Sequence, residues 1–201
     1  MAGLALLPLA ASSEAPRMPL ASRAVRTALN VLATEQVERA PVPIDEIAGK
    51  FAHVMYYKLP DDVSGMLLPL PKEAAKHKWS IVVNVDHAEV RQRFTIAHEL
   101  GHLLMHRYTT PHADGRFVVR FRDAKSATGS DREEIEANQF AAELLMPESL
   151  VLKDATHFGL DLGGDSDARS DAAALARLAR RFRVSVQAMS LRVANLAEAV
   201  P

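Results

Sequence analysis

The segment from Ile96 to Met105 constrains this chain more than any other. Every residue in it is apolar or glycine except His98, Glu99 and His102. A run that is apolar all round reads as a buried helix. Two imidazoles and a carboxylate inside such a helix carry a heavy desolvation cost unless they are paired or hold an ion. The spacing favours an ion. His98 and His102 are four residues apart, so on an α-helix their rings share one face, about 40° apart, with room for one cation between them. Glu99, one position on, reaches a water at that cation rather than the cation itself. Two His ligands with an adjacent Glu as general base is the HExxH arrangement of zinc hydrolases. The bland alternative, hydrogen-bonded core histidines, leaves both the spacing and Glu99 unexplained.

A zinc site of this kind needs a third protein ligand, with the fourth position left to water. The chain has no cysteine, so the ligand is a His, Asp or Glu. His106 continues the series, but two helical turns from His98 is too far to share one ion. The metzincin pattern would place Gly at 105 and His at 108. Met105 and Tyr108 stand there instead. A helix predicted over 131–146 offers Glu133, Glu134, Glu136 and Glu143. With Glu134 as origin at about 100° per residue, Ala141 and Leu145 lie within roughly 20° of it. Asn138 lies about 40° away, and Glu136 and Glu143 fall on the opposite side. Glu134 is thus at the centre of the apolar arc, where a carboxylate needs a strong partner. Glu133 reads as a helix cap, and Glu136 and Glu143 read as solvated surface. Glu134 is the preferred third ligand and Glu136 the fallback. Asn138 points inward and can orient a ligand from behind.

The remaining sequence reads as a small α+β protein. Residues 1–19 read as a disordered leader. The apolar stretch from Met1 to Ala11 has no preceding Lys or Arg and is broken by Pro8, which argues against a signal peptide and leaves Met18 as an alternative start. A helix is expected within 20–39 and a short one from Ile44 to Phe51. Strands are expected at Val54–Leu59, Val63–Leu70 and, most clearly, the β-branched run Trp79–Val85. Asp86 with Glu89 has capping-box spacing at the start of the HExxH helix, and Ser130 with Glu133 repeats it before the next helix. A loop and a short strand, Phe117–Phe121, lie between them. Residues 20–158 form the expected catalytic domain, 159–170 a Gly-, Asp- and Ser-containing linker, and 171–201 a helical appendage. No apolar run approaches the roughly 18 residues that a membrane span needs. The lack of cysteine fits a reducing, cytoplasmic setting.

Two blocks carry a family resemblance. They are Arg93-Phe94-Thr95-Ile96-Ala97-His98-Glu99-Leu100-Gly101-His102-Leu103-Leu104 and the stretch from Glu134 to Pro147, which reads EIEANQFAAELLMP. Together with Val63-Ser64-Gly65 and Asn84, they closely resemble the ImmA/IrrE family of metallopeptidases over roughly residues 24–155. The resemblance implies a zincin-like fold with a small mixed sheet packed on the HExxH helix. It implies His98, His102 and Glu134 as the metal ligands, in a gluzincin-like set, and Glu99 as the catalytic base. The implied cofactor is Zn²⁺, with Mn²⁺ as an alternative. The implied substrate is a helix-turn-helix transcriptional repressor, cleaved to lift repression under stress or in mobile elements. Long IrrE-type members carry a further sensor-like domain, and this sequence stops at Pro201, before one would begin.

Candidates for a second oxyanion donor are Tyr56, Tyr57, Tyr108, His106 and His112. The strand Val63–Leu70 could offer an edge to an extended substrate. The last 30 residues read as two helices with a turn near Arg183, resembling a helix-turn-helix that carries five Arg between 177 and 192. Such charge can contact DNA phosphates. The turn has Arg where Gly is common, however, and a helical support packed on the peptidase domain is preferred. The competing reading for the whole chain is a DNA- or protein-binding regulatory module with a degenerate, structural metal site. Glu99 weighs against it, because a structural site has no use for a base there. A non-peptidase zinc hydrolase is a third reading compatible with the same residues.

Overall fold

The structure is a computed structural model and describes residues 22–71, 77–106, 112–114, 129–160 and 168–198. Seven helices and four strands lie in these residues. They are α1 (Arg23–Thr34), α2 (Ile44–Ala48), β1 (His53–Tyr57), β2 (Gly65–Pro69), β3 (Trp79–Asn84), α3 (Glu89–Met105), β4 (His112–Asp114), α4 (Gly129–Leu145), α5 (Glu148–His157), α6 (Ala168–Phe182) and α7 (Val186–Glu198). The fold is α+β, with a mixed sheet against the HExxH helix and a helical C-terminal part.

The sheet order is β1-β3-β2-β4. β1 runs parallel to β3, while β2 is antiparallel to both β3 and β4. β3 is central and has buried side chains on both faces, which explains its unbroken Ser-Ile-Val-Val run. The sheet packs on α3, and α3 packs on α4. One apolar core holds the elements together, drawing Ala28 from α1, Ile47 from α2, Ile81 from β3, Leu100 from α3, Phe140 from α4, Val151 from α5, Leu178 from α6 and Met189 from α7. Each large side chain sealed in this core contributes about 1.5–3 kcal/mol.

Several expectations change. β2 is not an edge: β4 covers it from Gly65 to Leu67, and β1 and β4 are the outer strands. The Asp86–Glu89 capping box does not form. α3 starts at Glu89 behind Ala88 with no side-chain cap, and Asp86 instead sits in a turn where its N–H donates to Asn84 Oδ1 at 3.1 Å. Asn84 is fully buried and sets that whole corner. Its Nδ2 donates to the carbonyls of Leu59, Pro60 and Val63, and its Oδ1 also accepts from Leu59 N–H. β4 lies in a stretch read as loop, and α5 was not expected after Pro147. The expected strand Phe117–Phe121, the leader 1–19 and most of the 159–170 linker lie outside the described residues.

The C-terminal helices are tied to both helices of the HExxH pair. Arg93 on α3 is buried and donates to Arg183 O at the α6–α7 turn and to Val42 O before α2. Burial, with Arg183 nearby, lowers its pKa from the usual arginine range. Arg183, which takes a left-handed φ of 54°, returns an ion pair to Glu89. Arg192 on α7 pairs with Glu143 on α4 and donates to Met146 O at 3.0 Å. Glu143 is therefore not a solvated surface residue: its side chain is 4% exposed, and it also caps Glu148 N–H at the start of α5.

Candidate metal centre

α3 delivers His98, Glu99 and His102, all three fully buried. The i, i+4 spacing turns the two rings to one side, and their Nε2 atoms lie 2.9 Å apart. α4 delivers Glu134 to the same point. Its Oε2 is 3.3 Å from His98 Nε2, and its Oε1 is 3.1 Å from His102 Nε2. Glu134 is the residue at the centre of the predicted arc. Its side chain is nevertheless 34% exposed, because the first turns of α4 project past the core before the helix becomes enclosed at Ala137. The site is thus closed on its histidine side and open on its carboxylate side.

Close approach of the two helices depends on Gly101. A Cβ at this position would stand 2.9 Å from Phe140 Cδ1, inside contact distance. Glycine in a helix interior costs about 1 kcal/mol relative to alanine, and here it lets α4 lie close enough for Glu134 to reach the rings. Gly65 does the same on the sheet side. A Cβ there would collide with Thr95 Cγ2, would meet Val82 O at 2.9 Å and would stand 3.5 Å from Glu99 Oε1. Neither glycine was read as functional from the sequence. For Gly101 the signal was available: a glycine inside a helix, four residues from its end.

The donor set fits a tetrahedral dication. His98, His102 and Glu134 form the one candidate metal-holding group among the described residues, with ligand atoms all within 4.8 Å of one another. Ligands bound at about 2.0–2.1 Å in tetrahedral geometry are separated by about 3.3 Å. The three observed separations are close to that edge. Asn138 supports the fit from behind, with its Oδ1 3.2 Å from His98 Nδ1. An amide oxygen only accepts, so the network assigns the ring proton to Nδ1 and leaves Nε2 with its lone pair facing the common point.

These observations on site and fold agree with an independent finding. A family profile described as the IrrE N-terminal-like domain of peptidase family M78 matches residues 59–194, about two thirds of the chain. The chain belongs to this ImmA/IrrE peptidase family. The match takes in strands β2, β3 and β4, both helices that carry the candidate ligands and nearly all of the C-terminal helical pair. "Uncharacterized immunity region protein 2" of Bacillus phage phi105 is 36% identical over 88 residues, which is 43% of this chain and 50% of that protein. The M78 chain thus matches about half the length of this relative.

The candidate oxyanion donors fare unequally. Tyr56 donates its hydroxyl to Asp45 on α2, and its pKa is raised by burial and by that carboxylate. Tyr57 is exposed on β1. His112 lies on β4, and Tyr108 lies outside the described residues. His106 is not a surface residue. Its side chain is 4% exposed and sits between His102 and Glu136. Glu136 is accordingly not plain solvated surface, nor does it replace Glu134 as the fallback ligand.

Proposed function

We propose that this M78 protein is a zinc-dependent endopeptidase whose substrate is a helix-turn-helix transcriptional repressor. The observation that carries the reading is the convergence of His98, His102 and Glu134 beside a buried Glu99. His98, His102 and Glu134 hold the ion, Zn²⁺ or in its place Mn²⁺. When bound, the ion supplies Lewis acidity, acidifying a water and polarising a carbonyl. Glu99 accepts a proton from the attacking water as its oxygen bonds to the scissile carbonyl carbon. The C–N bond then breaks, and Glu99 passes that proton to the leaving amine. Burial of Glu99 on a packed helix holds it in place for both transfers.

Family membership supports peptidase chemistry, and the phage immunity-region relative supports a role in repressor control. The C-terminal helices serve this reading as a brace. Arg183 and Arg192 are bound to Glu89 and Glu143, Arg181 pairs with Asp154, and Arg177 lies over the Phe158 ring. These four contacts draw the arginines toward the rest of the chain and favour a brace over a phosphate-binding face. Among the described residues no helix is long and apolar enough to cross a membrane.

The test combines metal analysis with cleavage. Wild-type protein should carry close to one equivalent of Zn²⁺ or Mn²⁺, and His98→Ala much less. A repressor encoded beside this gene should be cut by wild type and not by Glu99→Ala. Equal cutting by Glu99→Ala would remove the mechanism, and a metal-free, inactive wild type would remove the enzyme.

A further inference from the structure

His106 is a buried polar side chain that the proposed reaction leaves without a task. Its two ring nitrogens are both engaged. Nε2 is 3.1 Å from Glu136 Oε2, and Nδ1 is 3.0 Å from His102 Nδ1. The rings of His102 and His106 lie 5.1 Å apart at a 56° tilt. Glu136 is held in turn by Arg23 on α1, 3.9 Å away, and Arg23 also donates to the carbonyl of Met105 at the end of α3. Four side chains from α1, α4 and α3 therefore form one line ending on a metal-facing imidazole.

The direction of that line follows from hydrogen-bond chemistry. A carboxylate facing an arginine accepts, so His106 Nε2 is the donor to Glu136. A neutral imidazole that donates from Nε2 has a bare Nδ1, which accepts. The proton between the two Nδ1 atoms therefore belongs to His102. His102 Nε2 then carries a lone pair, aimed at the point shared with His98 and Glu134. Were the shared proton on His106 instead, His102 would present an N–H to the ion and could not bind it.

We propose that Glu136 and His106 are positioning residues that fix His102 in the tautomer able to ligate the metal. The inference rests on the metal-binding reading above. It gives the two ligand histidines different supports: a neutral amide, Asn138, behind His98, and an imidazole–carboxylate pair behind His102. Hydrogen-bonded partners behind metal-bound histidines commonly change metal affinity 10–100-fold when removed.

The experiment measures zinc affinity of the full chain by competition with a chromophoric chelator, and the visible spectrum of the Co²⁺-loaded protein. His106→Leu keeps the volume and removes the acceptor, and should weaken zinc binding about 10–100-fold and alter the Co²⁺ bands. His106→Asn places an amide oxygen near the lost Nδ1 and should recover most of that loss. Glu136→Gln lets the amide donate as well as accept, frees the choice of tautomer, and should weaken binding severalfold. Glu136 is about one-third exposed, so this variant carries the test if His106→Leu does not fold. Unchanged affinity and spectrum in Glu136→Gln and in whichever His106 variants fold would overturn the proposal. Equal losses for Leu and Asn would also overturn it, reducing His106 to filler. If wild type itself binds no zinc, the metal reading fails; if wild type binds and every variant matches it, only the positioning role fails.

Discussion

The α3–α4 pair and the α6–α7 pair both carry ionisable side chains on packed helices, and they use them in opposite ways. On α3 and α4 three acceptor-bearing side chains, His98, His102 and Glu134, converge on one point with separations of 2.9, 3.3 and 3.1 Å. On α6 and α7 four of the arginines diverge, each to a separate partner: Arg177 to Phe158, Arg181 to Asp154, Arg183 to Glu89 and Arg192 to Glu143, while Arg180 is exposed. The first arrangement is the donor set of the metal site proposed above. In the second, four arginines find their partners within the chain. A cluster of charged residues in sequence does not separate the two cases; where the side chains end does.

The comparison can be broken from either side. Its largest expected effect is on chemistry. Glu99→Gln should retain the metal and lose about 10²–10⁴-fold in cleavage rate, measured on a repressor substrate. A variant that keeps its rate would mean that α3 carries no catalytic base. Next in size is the buried pair of the second region. Glu143→Ala leaves Arg192 nearly buried without its partner and should cost about 3 kcal/mol in chemical denaturation, with zinc affinity preserved. The double change Glu143→Leu with Arg192→Met should recover most of that loss. If zinc binding fell along with stability in the single variant, the two regions would not be separable.

A smaller effect is expected at the contact between α3 and α4. Gly101→Ala gains about 1 kcal/mol of helix propensity yet crowds Phe140, and overpacking of this kind costs about 1–3 kcal/mol. Net stability should fall modestly while metal affinity falls more clearly, because Glu134 is displaced from the rings. A stabilised protein with intact affinity would show that α4 does not need the glycine. The smallest expected effect is none. Wild type and Arg180→Ala should both show no salt-sensitive retention on duplex DNA, read by mobility shift at low ionic strength. Strong retention that Arg180→Ala abolishes would make α6–α7 a reader of DNA instead of a brace.

The parts of the molecule that were legible in sequence share a cause. His98, Glu99 and His102 were visible because helical geometry converts a four-residue spacing into a shared face. Glu134 was visible because its neighbours at helical spacing are alanine and leucine. β3 was visible because a strand buried on both faces has no polar alternation to confuse. What failed required knowledge of neighbours. Glu143 lies opposite Glu134 on the wheel and so reads as solvated, yet α4 is buried at every position from Phe140 to Leu145 and α7 supplies an arginine there. His106 was rightly kept out of the ion's shell by distance, but the same i, i+4 rule that paired His98 with His102 also pairs His102 with His106. β2 reads as a possible edge in isolation and becomes interior only once β4, three residues from a Pro- and Gly-containing stretch, is placed beside it. The Asp86–Glu89 spacing satisfied the capping rule, but Asn84 competes for that backbone and wins.

The uneven enclosure of the three converging donors has a kinetic consequence. Both imidazoles sit on a single packed helix and are sealed from solvent, whereas Glu134 stands at the lip with a third of its side chain in water. Of the three converging side chains, water reaches the carboxylate. In the proposed metal-bound state Glu134 would be the ligand open to exchange with solvent, and His98 and His102 the fixed pair.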